Sequence, residues 1–224
     1  MNTIVLITGA SKGIGLALAK KMLAKNYTVI GTSRKGVMEQ IQHPNFHPIA
    51  LDVTKIASVQ KAHREILKRF DHFDMLINNA GIGPDLNQDL PDPISFDATF
   101  EVNLKGVIAF TEPILEKIVK HGSLIMISSK MGSIRQCADA DAVGYRVSKS
   151  ALNMYTKILV NRHLDSLKVA AVHPGYVKTA ISETALLQGR LTPEQAGENI
   201  LAFIESDFKS GTFWDSEAGS ELPW

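Results

Sequence analysis

The chain has 224 residues, 45% hydrophobic and 21% charged, the balance of an ordinary globular protein with apolar residues enough for a sizeable core. Its 24 Lys and Arg stand against 23 Asp and Glu, which argues against nucleic acid or an anionic membrane as partner, because phosphate binding leaves a basic footprint. The apolar runs fall far short of the roughly 20 residues that span a bilayer, the start MNTIVLITGASKG has no secretory pattern, and the one cysteine, Cys137, allows no internal disulfide, so a cytoplasmic protein is expected.

Short apolar runs recur along the chain at Thr3–Thr8, Thr28–Thr32, Pro48–Leu51, Met75–Ile77, Ser123–Ile127, Val169–Val172 and Thr212–Trp214. Each is too short for a helix, and several are rich in Val and Ile, as fully buried strands are. Helical periodicity fills the gaps. Ile14, Leu18 and Met22 share a face after the first run; Thr54 or Lys55 to Phe70 repeats the pattern. Ser95 is the predicted cap of a long helical stretch reaching about Lys120, with a kink or break at Pro113. Ala142–Leu164 and Pro193–Glu205 complete the set, the latter capped by Thr192. Strand alternating with helix predicts one α/β domain of the doubly wound Rossmann type, with a seven-stranded, mainly parallel sheet and helices on both faces. No linker or internal repeat divides it. The Pro- and Asp-rich stretch Gly83–Pro93 reads as a loop.

The turn Thr8-Gly9-Ala10-Ser11-Lys12-Gly13-Ile14-Gly15 joins the first strand to the first helix. Glycines let the backbone turn tightly and approach a ligand, and the helix start beyond them offers free N–H groups and a positive dipole end to a phosphate. The spacing G-x-x-x-G-x-G departs from the G-x-G-x-x-G of dinucleotide folds, and no P-loop string is present. The second strand ends Thr32-Ser33-Arg34. An acid there would bind the ribose 2′-hydroxyl and repel a 2′-phosphate. A guanidinium instead suits bidentate phosphate contact, and Lys12 adds a second cation. NADP(H) is therefore favoured over NAD(H).

Tyr145 and Lys149 lie four apart on one face of a predicted helix. Alone the pair is a weak signal; its position, after the loop leaving Ser123–Ile127, raises it. That is the carboxyl edge of the sheet, where open α/β folds bind ligands. A phenol with pKa near 10 is a poor acid or base at neutral pH, and a nearby ammonium stabilises its phenolate. Ser129, at a strand end, is placed to hydrogen-bond a substrate oxygen as charge develops.

TGASKGIG at 8–15, NNAG at 78–81, Asn103, ISSKMG at 127–132, Tyr145-x-x-x-Lys149 and His173-Pro174-Gly175 stand in the order found in short-chain dehydrogenases/reductases. The chain resembles that family from residue 3 almost to its end, and most of all its small C-factor-like and sniffer-like carbonyl reductases. The resemblance implies a carbonyl/alcohol oxidoreductase. Tyr145 would be the general acid, Lys149 would hold the nicotinamide ribose and lower the tyrosine pKa, Ser129 would polarise the carbonyl, and Asn103 would organise a water relay. The cofactor would lie along Gly9, Ser11, Lys12, Gly13, Ile14 and Gly15, with Ser33 and Arg34 at its 2′ position. Asp52 and Val53 would meet the adenine, Asn79, Ala80 and Gly81 its middle, and Pro174, Gly175, Val177 and Thr179 the nicotinamide end beside Tyr145 and Lys149. One departure concerns the stretch before Tyr145, which is longer than the family's commonest spacing. Spacing favours Ser133 as the polarising serine; the I-S-S-x-x-G context at a strand end favours Ser129, which is preferred. Cys137, in the extra residues, is expected to be a bystander.

Other patterns carry less. His43 and His47 have helical metal-pair spacing, but Pro44 and Pro48 forbid a regular helix and no third ligand is near, so no metal site is expected. Asp85-x-Asn87-x-Asp89 starts like a calcium loop yet has Leu90 in place of glycine and Phe96 at its twelfth position. No G-x-S-x-G hydrolase elbow exists. The helices with Val107–Val119 and Ala151–Leu159 are apolar around much of their circumference, and the resemblance favours a homo-oligomer, a dimer or a tetramer. The expected partner is a small carbonyl or alcohol substrate, bound by the Gly83–Pro93 loop, residues 133–142 and Tyr176–Leu191. A dinucleotide-binding sensor acting through protein contacts is the competing reading; it would have no need of the full Tyr145, Lys149, Ser129 and Asn103 set.

Overall fold

In the computed structural model, which describes residues 2–224, the first apolar run forms β1 (Ile4–Ile7). Its side chains alternate between two separate cores. Leu6 joins one, while Val5 and Ile7 join the other. A strand apolar on both faces must be covered on both, and the remaining elements do so. In chain order they are α1 (Gly13–Ala24), β2 (Thr28–Ser33), β3 (Phe46–Ala50), α2 (Ile56–Arg69), β4 (Phe73–Asn78), α3 (Pro93–Phe100), α4 (Val107–Thr111), β5 (Ile118–Ile127), α5 (Val143–Arg162), β6 (Leu167–His173), α6 (Glu183–Gln188), α7 (Pro193–Glu205), β7 (Phe213–Asp215) and β8 (Ser220–Glu221). Leu18 and Met22 of α1 and Ile200 and Ile204 of α7 cover one face with Val5, Ile7 and Ile125. Val59 and Ile66 of α2, Phe110 of α4, and Leu152 and Leu159 of α5 cover the other with Leu6, Leu124 and Met126.

The sheet order is β3-β2-β1-β4-β5-β6-β7-β8, parallel from β3 through β7. The chain runs outward from β1 to β3 and then returns to β4 on the far side of β1. The loops leaving β1 and β4 therefore diverge, and a crevice opens between them at the carboxyl ends of the strands. Seven parallel strands are as expected. The eighth is a short antiparallel return onto β7, whose two exposed polar residues offer no apolar run to announce it.

Two boundaries differ from expectation, while the interruption at Pro113 is as expected. The helical stretch after the Gly83–Pro93 loop is capped by Asp92, not Ser95: the Asp92 carboxylate accepts the Ser95 N–H at 2.8 Å. Pro93 occupies the first turn, and a cap belongs immediately before a proline so placed. The stretch then passes through a π turn at Glu101–Gly106, α4, and a tightened 3-10 turn from Glu112 to Lys117 that contains Pro113. Secondly, β5 begins at Ile118, ahead of both Lys120 and Ser123; His121 adopts φ 65°, and the pairing with β4 shifts register there. Thr192 caps α7 as expected, in a reciprocal capping box with Gln195. Among the described residues no helix is long and apolar enough to cross a membrane.

Candidate active site

The crevice is floored by a latch between its two lips. Thr8 Oγ1, at the end of β1, accepts the backbone N–H groups of Asn79 and Ala80, both at 3.0 Å. Asn79 Nδ2 returns bonds to the carbonyls of Thr8 at 2.9 Å and Gly9 at 3.1 Å. Gly9 and Gly13 take left-handed φ values of 69° and 55°. Gly15 is required by packing, since a Cβ there would lie 2.3 Å from the Gly9 carbonyl oxygen. Lys12, at the N-cap of α1, makes no side-chain cap bond, so the first-turn N–H groups stay available to an anion. Gly13 faces Thr179, whose Cγ2 would be 3.4 Å from an added Cβ. The glycine turn and the segment after β6 thus form opposite walls.

That segment is fixed by groups far away in sequence. Gly175 has φ 88°. Glu217 accepts the Tyr176 N–H at 3.0 Å and a two-pronged ion pair from Arg190 at 2.6 and 2.8 Å; the guanidinium holds the carboxyl down at about 2. Val177 bridges to Leu191. At the outer end of the crevice, Ser33 Oγ accepts the Gly36 N–H at 3.0 Å, closing a turn that leaves Arg34 and Lys35 exposed at its tip. Lys35 adds a cation beside Arg34 and belongs to no sequence motif. Asp52 turns its Oδ1 to the N–H and hydroxyl of Thr54 at 3.1 and 2.7 Å. Val53 packs against Gly106, where an added Cβ would come within 2.8 Å of it.

The chemistry-bearing side chains meet deeper in. Tyr145 and Lys149 are buried on one face of α5, 7% and 5% exposed. The lysine ammonium donates to the Ile127 carbonyl at 2.9 Å and lies 5.6 Å from the centre of the tyrosine ring. Burial pushes the Lys149 ammonium down to about 8. Burial also pushes the Tyr145 phenol up to about 12; a hydrogen bond from Ser129 opposes this and the Asp85 charge adds to it. The expected stabilisation of the phenolate by Lys149 is therefore not what governs this tyrosine: desolvation wins, and the phenol is firmly protonated at neutral pH.

Ser129, not Ser133, stands beside the phenol. Ser133 Oγ donates to the Pro223 carbonyl at 2.6 Å, fully engaged with the end of the chain. Ser129 Oγ accepts the Met131 N–H at 3.2 Å, keeping its proton to donate. Asn103 sits in the π turn, a distortion common at functional sites. Its Oδ1 accepts the Ile82 N–H at 2.9 Å, and its Nδ2 donates to the Ile82 carbonyl at 2.8 Å and to Ser148 Oγ at 3.1 Å. This clamp sets Gly81 before the lysine, with Nζ 3.7 Å from the position of an added Cβ. Thr8, Ser148, Lys35 and Asp85 complete the surroundings. Thr8 lies in the TGASKGIG string and Asp85 in a broken calcium-loop pattern, but the part each plays here is set by tertiary contacts.

Residues 3–188 match the short chain dehydrogenase family. Over 232 aligned residues the chain is 31% identical to a 3-oxoacyl-[acyl-carrier-protein] reductase FabG of Aquifex aeolicus, covering 92% of this chain and 90% of that protein. Among solved structures it superposes on the carbonyl reductase Sniffer of D. melanogaster with a TM-score of 0.86 at 26% identity, over 100% of both chains. An NADPH-bound carbonyl reductase from chicken fatty liver gives 0.84 at 28% identity, again over 100% of both. The chain belongs to the short-chain dehydrogenase/reductase family and is an oxidoreductase of that type.

Proposed function

We propose that this protein is an NADP(H)-dependent reductase of a small aldehyde or ketone, or an alcohol dehydrogenase in reverse, with Tyr145 as its general acid and base. The observation that carries this is the burial of Tyr145 beside Ser129 and Lys149, at the glycine-lined crevice. When bound, the nicotinamide supplies or accepts the hydride. The protein's own part is positioning and proton movement. Ser129 donates a hydrogen bond to the substrate oxygen, where negative charge gathers as the carbonyl is reduced. Tyr145 gives that oxygen its proton. Lys149, brought by burial to about 8, gains or loses a proton near neutral pH and is suited to resupply the phenol. Asn103 holds Gly81 and Ile82 in place before Lys149.

Cofactor choice follows from the tip of the Ser33–Gly36 turn. Arg34 and Lys35 are exposed there, no acid occupies the end of β2, and Lys12 lies in the glycine turn at the N-cap of α1, which favours a 2′-phosphate. Gly9, Ser11, Gly13, Ile14 and Gly15 would hold the pyrophosphate, and Val177 and Thr179 the nicotinamide end. The experiment is NADPH oxidation over a panel of aldehydes, ketones and quinones, with Tyr145→Phe alongside. Turnover by the wild type and its loss by at least about a hundredfold in the variant are expected. Full activity in Tyr145→Phe, or tight NADPH binding with no carbonyl consumed, would overturn the reading.

A further inference from the structure

We propose that Asp85 is a positioning residue for Tyr145: its buried carboxylate fastens the first turn of α5, through the tyrosine's own amide, to the loop that leaves β4. The inference rests on the reading of Tyr145 as the acid.

The helix needs this help. Its N-cap, Ala142, has no side chain to accept a first-turn N–H and sits in the left-handed region at φ 51°, an unfavourable conformation for a residue with a Cβ. Asp85 Oδ2 accepts the Tyr145 N–H at 3.0 Å from sixty residues away in sequence. This is the bond that a capping side chain ordinarily makes from within the helix. A second tie runs from the Ala142 N–H to the Gln88 carbonyl at 2.9 Å. Packing is tight around the carboxylate. A Cβ on Gly144 would stand 3.0 Å from Asp85 Oδ2 and 3.2 Å from Phe96 Cα, and one on Gly83 would stand 3.1 Å from the Tyr145 ring.

Asp85 is only 2% exposed, and its other oxygen, Oδ1, is buried with no hydrogen-bond partner among the described residues. A carboxylate so placed is expensive unless it serves something. An asparagine would make the same amide bond without burying a charge, so the charge itself requires a reason. It lies at the positive end of the α5 dipole and acts on the phenol, favouring the protonated form. Other charged groups near the start of α5 do not duplicate it. Arg146 is held by Asp139 and Asp141, Lys149 points to Ile127, and Lys130 before α5 and Asp97 on α3 are exposed.

The test compares Asp85→Asn, which keeps the acceptor and drops the charge, with Asp85→Ala, which drops both. With NADPH and a carbonyl that the wild type reduces, Asp85→Ala is expected to lose at least about tenfold in kcat with unchanged NADPH affinity, the penalty of a loosened acid. Asp85→Asn should recover most of that loss. Its kcat should, however, fall away at lower pH than the wild type's, because the phenol ionises more readily without the negative charge nearby. A readout that needs no turnover is hydrogen exchange at the Tyr145 amide, fast in Asp85→Ala and protected in Asp85→Asn. Wild-type kcat, pH profile and amide protection in both variants would overturn the proposal, as would loss of NADPH affinity in step with kcat. Should Tyr145→Phe prove fully active, the exchange experiment still decides whether Asp85 holds the tyrosine.

Discussion

A phenol buried to a pKa of about 12 and an ammonium buried to about 8 stand 5.6 Å apart, ring centre to nitrogen, in one helix. The phenol thus carries the proton that reduction needs, but is a weaker acid than a free phenol, so donation relies on the basicity the substrate oxygen gains as it is reduced. The reverse reaction needs the phenolate, and its stabilisation must come from charge added when the crevice fills. The cations at the other end of the crevice lend themselves to a simpler test. Arg34→Asp replaces an exposed guanidinium by a carboxylate where the proposed function puts the 2′-phosphate. We expect the ratio of kcat/KM for NADPH over NADH to fall by roughly one to two orders of magnitude, the scale of a charge-assisted hydrogen bond. Lys35 and Lys12 remain to soften the loss. An unchanged ratio would remove Arg34 from the cofactor site. At this scale the sequence was most legible for residues in tight motifs: Tyr145, Lys149 and the glycines were all identifiable. Asp85 was read only as a failed calcium-loop residue, because its role depends on a contact across sixty positions.

At the scale of elements, α5 does two jobs on two faces. Tyr145, Lys149, Leu152 and Leu159 face the site and the core. The opposite stripe carries Val147, Met154 and Ile158, 46%, 62% and 46% exposed, at helical spacing along one side. A continuous apolar stripe on a surface helix marks a contact surface, and a second copy of the chain is the occupant consistent with the expected homo-oligomer. Met154→Glu would bury a charge at its centre. Light scattering coupled to size exclusion should then show the wild-type oligomer and a smaller species in the variant. A monomeric wild type, or an unaltered mass in the variant, would contradict this. Element boundaries were less legible than the elements themselves. Asp92 rather than Ser95 caps α3 because Pro93 takes the first turn, a signal present in the sequence and misread. The π turn at Asn103 and the register shift in β5 arise from packing and leave no local mark.

For the whole molecule, buried basic groups set the response to acid. His173, at the end of β6, is 6% exposed, and neither ring nitrogen has a partner among the described residues. Burial holds it down at about 4, with Lys130 and Arg190 lowering it and Asp215 and Glu217 opposing. Its folded value lies below its unfolded one of about 6.5. Between pH 6.5 and about 4 the unfolded chain therefore binds the extra proton, and stability falls as pH falls through that window. Denaturant midpoints taken from pH 7 to 4 should show this loss, and His173→Gln should flatten it by on the order of 1–3 kcal/mol. An identical slope in the variant would assign the acid sensitivity elsewhere.

The sequence by itself determined the alternation of strand and helix, the parallel sheet with two covered faces, the glycine turn, and the tyrosine and lysine one turn apart. Each of these is written in local periodicity or in a short motif, where neighbouring residues alone decide the physics. Only the tertiary structure decided which serine meets the phenol, since Ser129 and Ser133 differ by where the end of the chain folds back. It likewise decided that desolvation outweighs the lysine charge at Tyr145, and that Asp85, Thr8 and Glu217 fasten the walls of the crevice. The bonds from Ser133 to Pro223, Asp85 to Tyr145, Thr8 to Asn79 and Glu217 to Tyr176 join residues 41 or more positions apart, and burial is a property of the assembled molecule.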